Sequence, residues 1–442
     1  MHFEIKLENY VKILNWLFLL FPLTFIAGNS IINAHFLLFI ILGIFYLIKK
    51  KINIKFDLLI FLFFLFCITL IISTLVNDFN VTKSLFFLRF LVFFLICSYL
   101  LNEKLFSVEK VYNFFAIIVF IICIDLVFQN IFGHNIFGFN IQNFGTIKHS
   151  VATSFFFDEQ IAGSFVQSFG FFLVYFIFNK FKKKNFINLF INSILLALIS
   201  YSIFISFQRV PMMIWTLFLI IYSIIYFKSR IMPVILSFLI LAVLINNFSS
   251  KEIRESYVSF FNNVKNVSYK TVTNYKIIKD KKIYDQIRTD PVKAEKFESG
   301  SGHASLFANA LYIWEDNKLI GIGYKNFYNK CVEKKLTRCS THPHNFYLDI
   351  LVSTGLVGLL IIVFYVLNFF RTTVIIFLKN RKENSSEKND ILIVAFLNFL
   401  MHFFPFKSSG SFFTTSSATY MMIIIVILFS LIKKLNLSEE KN

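Results

Sequence analysis

The sequence predicts an all-α, polytopic integral membrane protein with about 12 transmembrane helices. Three observations carry this. Of 442 residues, 57% are hydrophobic and only 16% are charged, against about 25% charged in an ordinary soluble domain. The apolar residues are spread over most of the chain and are not gathered in one anchor. They also fall in long runs, and about 18 apolar residues suffice to cross a hydrocarbon core about 30 Å thick. With 14 Gly and 6 Pro, a collagenous, disordered or linker-rich chain is excluded. The 63 Phe read as lipid-facing surface and core bulk, not as sites.

The expected spans, in order, are Tyr10–Ala27, Ile31–Ile48, Leu58–Leu75, Ser84–Leu101, Tyr112–Ile131, Ile161–Phe178, Phe186–Phe207, Val210–Phe227, Ile231–Asn247, Phe346–Phe369, Ile391–Phe406 and Ala418–Leu431. The first has no small-residue cleavage site after it, and a second run follows at once. It therefore reads as an uncleaved helix and not as a signal peptide. The eleventh is short. Three regions result: residues 1–247 with nine helices, 248–345 as a large mainly helical outer loop, and 346–442 with three helices and a tail.

Basic residues set the orientation. With the N-terminus inside, the clusters Lys49-Lys50-Lys51, Lys180 to Lys184, Lys228 with Arg230, Arg371 to Lys382 and Lys433-Lys434 all fall on one face. That face collects about 22 Lys and Arg, and the short outer connections only about four (Lys83, Lys148, Arg209 and Lys407), as the positive-inside rule requires. The net charge of +19 is thus largely an orientation signal, and no nucleic-acid partner is implied. The outer loop keeps a surplus of about seven positive charges, which suits an anionic partner at the membrane surface.

In that loop, Lys251–Glu298 is charged and weakly patterned, and is expected as surface helices plus irregular chain. Ser299-Gly300-Ser301-Gly302 reads as a flexible joint. Leu306, Phe307, Ala310, Leu311, Ile313 and Trp314 then mark an amphipathic helix ending near Glu315-Asp316-Asn317. Gly321-Ile322-Gly323 reads as a tight turn, because no strand–helix unit surrounds it to make a nucleotide loop. Cys331 and Cys339 follow on the oxidising side and are a disulfide candidate. Closing so short a loop stabilises by roughly 2.5 kcal/mol on the chain-entropy model. A zinc reading also exists, with Cys331, Cys339, His342 and His344 as four ligands, although the spacing is not that of a known knuckle. Cys67, Cys97 and Cys123 lie inside spans and read as small apolar residues.

The loop ends on Arg338-Cys339-Ser340-Thr341-His342-Pro343-His344-Asn345 and enters the tenth span. After nine intervening residues beyond Asn345 come Gly355 and Gly358, expected on one helical face where a second helix can approach closely. His is the side chain whose pKa suits a general base near pH 7. Arg binds phosphate oxygens bidentately, and Arg209 and Arg338 are the best placed. His344 could alternatively cap or anchor the span. Arg209 could be an interface anchor, and Glu159 a helix N-terminal carboxylate that the dipole favours. Arg89 and Asp125, inside spans four and five, are expected to pair with each other. His2, His35, His134, His149, His303 and His402 show no constellation.

The run His344, Asn345, nine residues, Gly355, Gly358 resembles the O-antigen ligase and polymerase superfamily. So do the stretch Leu306 to Gly358, the layout with its large loop after span nine, and Arg209 in a short outer connection. Phe155-Phe156-Phe157-Asp158-Glu159 through Gly163 is similar to the acidic entry to a span in some polymerase-type members. The resemblance implies transfer of a glycan from undecaprenyl-pyrophosphate to a hydroxyl on lipid A core or growing polysaccharide, at the periplasmic face of a bacterial inner membrane. His344 would be the base and Arg209 would bind pyrophosphate. Arg338, His342, Asn345 and Glu159 would contact substrate, while Gly355, Gly358 and the Cys331/Cys339 pair would be structural. The sequence holds no D-x-D, Walker, H-E-x-x-H or G-x-S-x-G motif, so the transfer is expected to need no metal and no cofactor. Protein O-glycosylation within the same superfamily is an alternative. From another class, a 12-helix transporter or flippase competes, although two similar halves are not seen and the loop after span nine spoils a six-plus-six symmetry. A structural or signalling membrane protein is a third possibility.

Overall fold

The computed structural model describes residues 7–51, 57–103, 105–143, 150–157, 159–183, 185–298, 302–382, 386–407 and 410–437, and nearly all of these are helical. His2, Lys148, His149, Asp158, Lys184 and the Ser299–Ser301 part of the expected joint lie outside the described residues. In chain order the helices are α1 (Leu7–Ala27), α2 (Asn29–Lys49), α3 (Leu58–Val76), the pair α4 (Val81–Leu85) and α5 (Leu88–Asn102), α6 (Val108–Phe132), α7 (Ala162–Lys180), α8 (Phe186–Ile205), α9 (Arg209–Ile225) and α10 (Phe227–Phe248). The outer loop folds as α11 (Lys251–Lys279), α12 (Lys281–Arg288), α13 (Pro291–Glu298), α14 (Gly302–Trp314) and α15 (Phe327–Glu333). The chain closes with α16 (Phe346–Lys382), α17 (Ser386–His402) and α18 (Thr415–Leu437). A two-residue antiparallel ladder, Gln142–Asn143 with Ser150–Val151, lies between α6 and α7.

Ten of the described helices are long and apolar enough to cross a membrane. Two shorter apolar helices, Arg209–Ile225 and Asn389–His402, fall where the eighth and eleventh spans are expected. Caps explain several starts and stops. Asp57 Oδ1 accepts from the Ile60 amide at α3, Ser107 Oγ from Lys110 at α6, and Asn185 Oδ1 from Asn188 at α8. Gly133, at φ +79°, ends α6 in the left-handed region. The last helix, α18, is the most enclosed of the ten, with 83% of its apolar window buried. Being apolar all round, it is the kind of helix that belongs inside a bundle. Phe residues fill much of the interior: Phe18, Phe21, Phe36, Phe39 and Phe93 pack ring on ring.

Contacts between distant segments sort into two ends. At one end Arg230 pairs with Asp390 at 2.7 Å and Lys433 with Asp57 at 2.9 Å. At the other, Asn345 Nδ2 donates to the Pro405 carbonyl and Ser411 Oγ to Asp349 Oδ2. α9 runs from Arg209 toward Arg230, and α17 carries the chain from Asp390 to Pro405, so both short helices connect the two ends. Every one of these pairs joins residues that the charge pattern assigns to the same face.

Two expectations are corrected. Arg89 and Asp125 do not pair. Arg89 Nη2 donates to Thr415 Oγ1 at 3.3 Å, while Asp125 accepts from Ser154 Oγ at 2.6 Å and the Ile136 amide at 2.9 Å. Arg89 meets the first residue of α18, and Asp125 meets the connection between α6 and α7, neither of which the sequence could position. The first half of the outer loop is also more regular than expected. Residues 251–279 form one continuous 29-residue helix, capped by Ser250 and docked through Tyr257, whose hydroxyl donates to the Phe204 carbonyl.

The third correction concerns the glycine pair. Gly355 and Gly358 do not share a helical face, because Gly355 breaks α16 with φ +66° and ψ −165°. The break is filled by residues 318–323. The Val352 and Ser353 carbonyls, which an unbroken helix would give to the amides of residues 356 and 357, accept instead from the Ile322 and Gly323 amides at 2.8 and 3.1 Å. The freed Leu356 and Val357 amides donate to the Lys318 and Leu319 carbonyls at 2.9 and 3.2 Å. Gly321, at φ +79°, lies so close that an added Cβ would meet the Gly355 amide nitrogen, and a Cβ on Gly355 would strike the Leu319 carbonyl. The end of α3 completes the joint: Ser73 Oγ donates to the Ser353 carbonyl, Asn77 Nδ2 to the Gly321 carbonyl, and the Tyr324 amide to Thr74 Oγ1.

Gly355→Ala should therefore lower stability by about 2–3 kcal/mol from backbone strain and lost packing space. Gly358→Ala meets only the Thr354 side chain and should cost about 1 kcal/mol or less. Thermal unfolding of the purified variants in one detergent checks the order. Equal transition temperatures for Gly355→Ala and the parent would show that the break is not what holds this region.

Candidate active site

Five segments meet at the outer end of the bundle: the start of α7, the start of α9, α11 with the start of α14, the loop 334–345, and the connection between α17 and α18. They enclose an open cleft of about 1670 Å³. Arg209, His303, Arg338 and His344 are its ionisable lining residues among those described.

Arg209 opens α9, where its charge opposes the helix dipole and so does nothing for the helix itself. Its Nη1 donates to Ser256 Oγ at 3.2 Å, and its guanidinium lies 5.3 and 5.7 Å from the Phe207 and Phe260 rings. The preceding residue locks this start to α7. The Gln208 amide donates to the Gln160 carbonyl, and its oxygen accepts from Ser164. Gly163 leaves no room for a Cβ against Ser206.

The loop carrying Arg338 and His344 is anchored at several points. Cys331 and Cys339 are bonded, with sulfurs 2.02 Å apart. The thiols are thereby taken, and no group of three or more metal-ligating side chains occurs among the described residues. Asn309 Nδ2 donates to the Thr337 carbonyl at 2.8 Å, and the Thr337 amide donates to the Tyr284 hydroxyl at 2.7 Å. Arg338, next in the chain, has φ +55°, and His344 has φ +57°. Both sit in the left-handed region that costs an L-residue roughly 1–2 kcal/mol. Asn345 then caps α16, its Oδ1 accepting from the Tyr347 and Leu348 amides at 3.0 and 3.1 Å.

His344 stands between two other histidines. The His342 ring lies 4.3 Å away and the His303 ring 5.6 Å away. Ser340 Oγ is 3.2 Å from His344 Nε2. Burial and the Arg338 charge both lower the His344 pKa. His303 is pushed down to about 4 by the protein packed around it, then by the charges of His344, Arg338 and Arg209. His342 is pushed down to about 4 by burial, then by His344 and Lys325. Three neutral imidazoles thus face a set of fixed cations. Such a site can accept a proton and bind an anion without a metal.

Of the residues singled out from the sequence, Arg209, Arg338, His344 and Asn345 line the cleft, with Cys339 in its wall. The Asn345 amide is committed to the cap and to Pro405. His342 lies beside His344, its Nδ1 2.9 Å from Thr341 Oγ1 and its Nε2 buried with no hydrogen-bond partner among the described residues. Glu159 is exposed, and its neighbour Gln160 reaches the cleft. His303, which lines the cleft, was named from the sequence only as a histidine without a constellation.

Fold and cleft together define a polytopic, all-α membrane protein with a basic, histidine-lined site at one end of its bundle. A protein-family model described as O-antigen ligase matches residues 194–363, and this match supports the O-antigen ligase superfamily of membrane glycan transferases for the chain. The matched segment runs from α8 into α16 and contains Arg209, His303, the disulfide, His344 and both glycines of the break. No curated protein matches the chain. The family implies a lipid-linked glycan and an acceptor as substrates within a membrane.

Asn345→Ala should remove both the cap and the tie to Pro405, costing about 1–2 kcal/mol. Asn345→Asp keeps the capping oxygen and should recover about half of that in thermal unfolding. Full loss in both variants would place the weight on the Pro405 contact instead.

Proposed function

We propose that this chain transfers a glycan from an undecaprenyl-pyrophosphate carrier to a hydroxyl acceptor, with His344 as general base and Arg209, aided by Arg338, binding the pyrophosphate. The observation that carries this reading is one cleft lined by both arginines and by His344, on a loop fixed to a broken membrane helix. In the reaction the acceptor hydroxyl gives its proton to His344, and its oxygen forms a bond to the anomeric carbon. The bond from that carbon to the phosphate oxygen breaks, and its electron pair leaves on the pyrophosphate. Pyrophosphate is a good leaving group, so the site needs no general acid. It needs fixed positive charge, which Arg supplies in bidentate form.

α9 and the apolar part of α17 complete twelve crossings in this reading. Both termini then lie on the cytoplasmic side of a bacterial inner membrane, and the helices α11 to α15 on the periplasmic side. The charge sorting and the two sets of end contacts support that arrangement. A lipid A core, a growing polysaccharide or a protein hydroxyl all meet the chemical requirement on the acceptor. A deletion strain separates them: bare core with carrier-linked polymer accumulating means ligase, and a single repeat unit on core means polymerase. Unchanged surface glycan with lost solute uptake would end the transferase reading.

His344→Gln and Arg209→Ala should leave the protein inserted in the membrane and reduce transfer by about 100-fold or more, as loss of a general base or of a charge stabiliser does. The pH profile gives a signed test. The active base is the neutral ring, and burial with the Arg338 charge disfavours the protonated form. The acid limb of kcat/KM should therefore fall below the ordinary histidine value of 6.5. Arg338→Gln removes the repelling charge and should move that limb up. A limb that stays in place would separate Arg338 from the base.

A further inference from the structure

The cleft of about 1670 Å³ offers far more room than a pyrophosphate needs, since roughly 300–1,000 Å³ already holds a drug-sized ligand. Its two long walls differ in chemistry. Val210, Met213 and Leu217 of α9, with Phe404 and Phe406 after α17, make one wall apolar. α11 makes the other. Over four successive turns it shows the cleft one polar and one apolar side chain per turn. The polar set is Ser259, Asn263, Ser268 and Thr271. The apolar set is Phe260, Val264, Val267 and Val272. A spacing near four residues keeps both sets on one side of the helix. All of them are exposed or half-buried, so this row does not build the core.

The row is held at both ends. Ser256 Oγ accepts from Arg209 Nη1 at 3.2 Å, and the Phe260 ring lies 5.7 Å from that guanidinium. The Tyr257 ring stacks on Phe204 at 4.4 Å. Beyond the row, Asn274 Nδ2 donates to Ser305 Oγ on α14 at 3.2 Å. At about 1.5 Å per residue, Thr271 stands about 22 Å along the helix from Ser256. Thr271 Oγ1 donates back to the Val267 carbonyl at 2.8 Å, and Asn263 Nδ2 to the Ser259 carbonyl at 2.9 Å. Each of these side chains keeps an oxygen that can accept a hydrogen bond.

A sugar ring carries hydroxyls around its edge and C–H groups on its faces. A wall that repeats one hydrogen-bonding and one apolar side chain per turn matches that alternation. A lipid chain would not use the polar half, and a polyanion would call for cations that the row does not carry. We propose that this face of α11 binds the glycan of the donor as a run of several sugars, and so selects the repeat unit that is transferred. The inference rests on the transferase reading above. The donor is favoured over the acceptor because α11 also holds Arg209, and the first sugar is joined directly to the pyrophosphate that Arg209 binds. Ser259 and Asn263 then meet the first sugars, and Ser268 and Thr271 those further out.

The test uses the full chain in vesicles of zwitterionic lipid. Donors are the polyprenyl-pyrophosphate glycan extracted from the producing cell and the same donor trimmed to its first sugar. Acceptors are a lipid A core, a carrier-linked repeat unit and a serine peptide. The parent should show a KM about tenfold or more lower for the full donor. Ser268→Ala with Thr271→Val should raise that KM toward the value for the trimmed donor, with the change in KM and not in kcat. Equal KM values for the two donors in the parent overturn the proposal, and so does a variant that keeps the parent's ratio. A KM that rises alike for both donors also overturns it, because the pyrophosphate site would then be what was disturbed. So does a KM set by the length of the acceptor glycan and not of the donor. No transfer by the parent from either donor to any acceptor would instead overturn the transferase reading itself.

Discussion

The exchange of backbone hydrogen bonds at Gly355 is the contact on which the outer half of the molecule depends. A membrane helix can be broken only where the freed amides and carbonyls find new partners, since hydrocarbon offers none. An unpaired buried peptide group costs several kcal/mol in an apolar surrounding. Here two carbonyls and two amides are released, and one short turn segment, residues 318–323, satisfies all four. These four exchanges hold down the cost of the break, whose remaining strain is a φ that glycine tolerates. What the protein gains is a rigid joint between its outer loop and its long span, with α3 bonded to both.

That joint decides where the chemistry can sit. Between Tyr324, which leaves the stitched segment, and Asn345, which caps α16, the chain makes a closed excursion pinned at both ends. The disulfide and the Asn309 and Tyr284 contacts fix its middle. Within this excursion Lys325, Lys335, Arg338 and His344 all have positive φ. Such strain persists only where the surroundings over-determine the backbone, and here they do. Two of these four residues, Arg338 and His344, are a cation and the base that the proposed chemistry uses. Conformational strain and functional charge coincide because a loop free to relax would also be free to withdraw its side chains.

The sequence made the spans legible because burial in lipid demands long apolar runs, and such runs cannot be disguised. It also marked the His344–Asn345 junction at the mouth of the tenth span, but Asn345, expected there as a substrate contact, is the cap of α16. The Gly355 break was not legible. Two glycines three apart in an apolar run look the same whether they admit a neighbouring helix or a loop, and the loop that fills this one starts some thirty residues upstream. Arg89 and Asp125 illustrate the same limit. Opposite charges in adjacent spans suggest a pair, but the partners are Ser154, in the connection after α6, and Thr415, at the start of α18, whose placement no periodicity encodes. His303 was invisible for a different reason: its meaning lies wholly in the 5.6 Å to His344.

Fixed cations beside the proposed general base create a tension that the arrangement can resolve. Arg338 keeps His344 neutral and ready to accept a proton, yet the same charge opposes the imidazolium that proton transfer creates. In the proposed reaction a bound pyrophosphate would remove the conflict. Its negative charge would offset the arginines, so the ring would become more basic once the donor is in place. As the bond from the anomeric carbon to the phosphate oxygen breaks, negative charge would grow on the leaving oxygen while positive charge grows on the ring, and the two would stabilise each other. On that reading, base strength is coupled to donor occupancy by electrostatics alone.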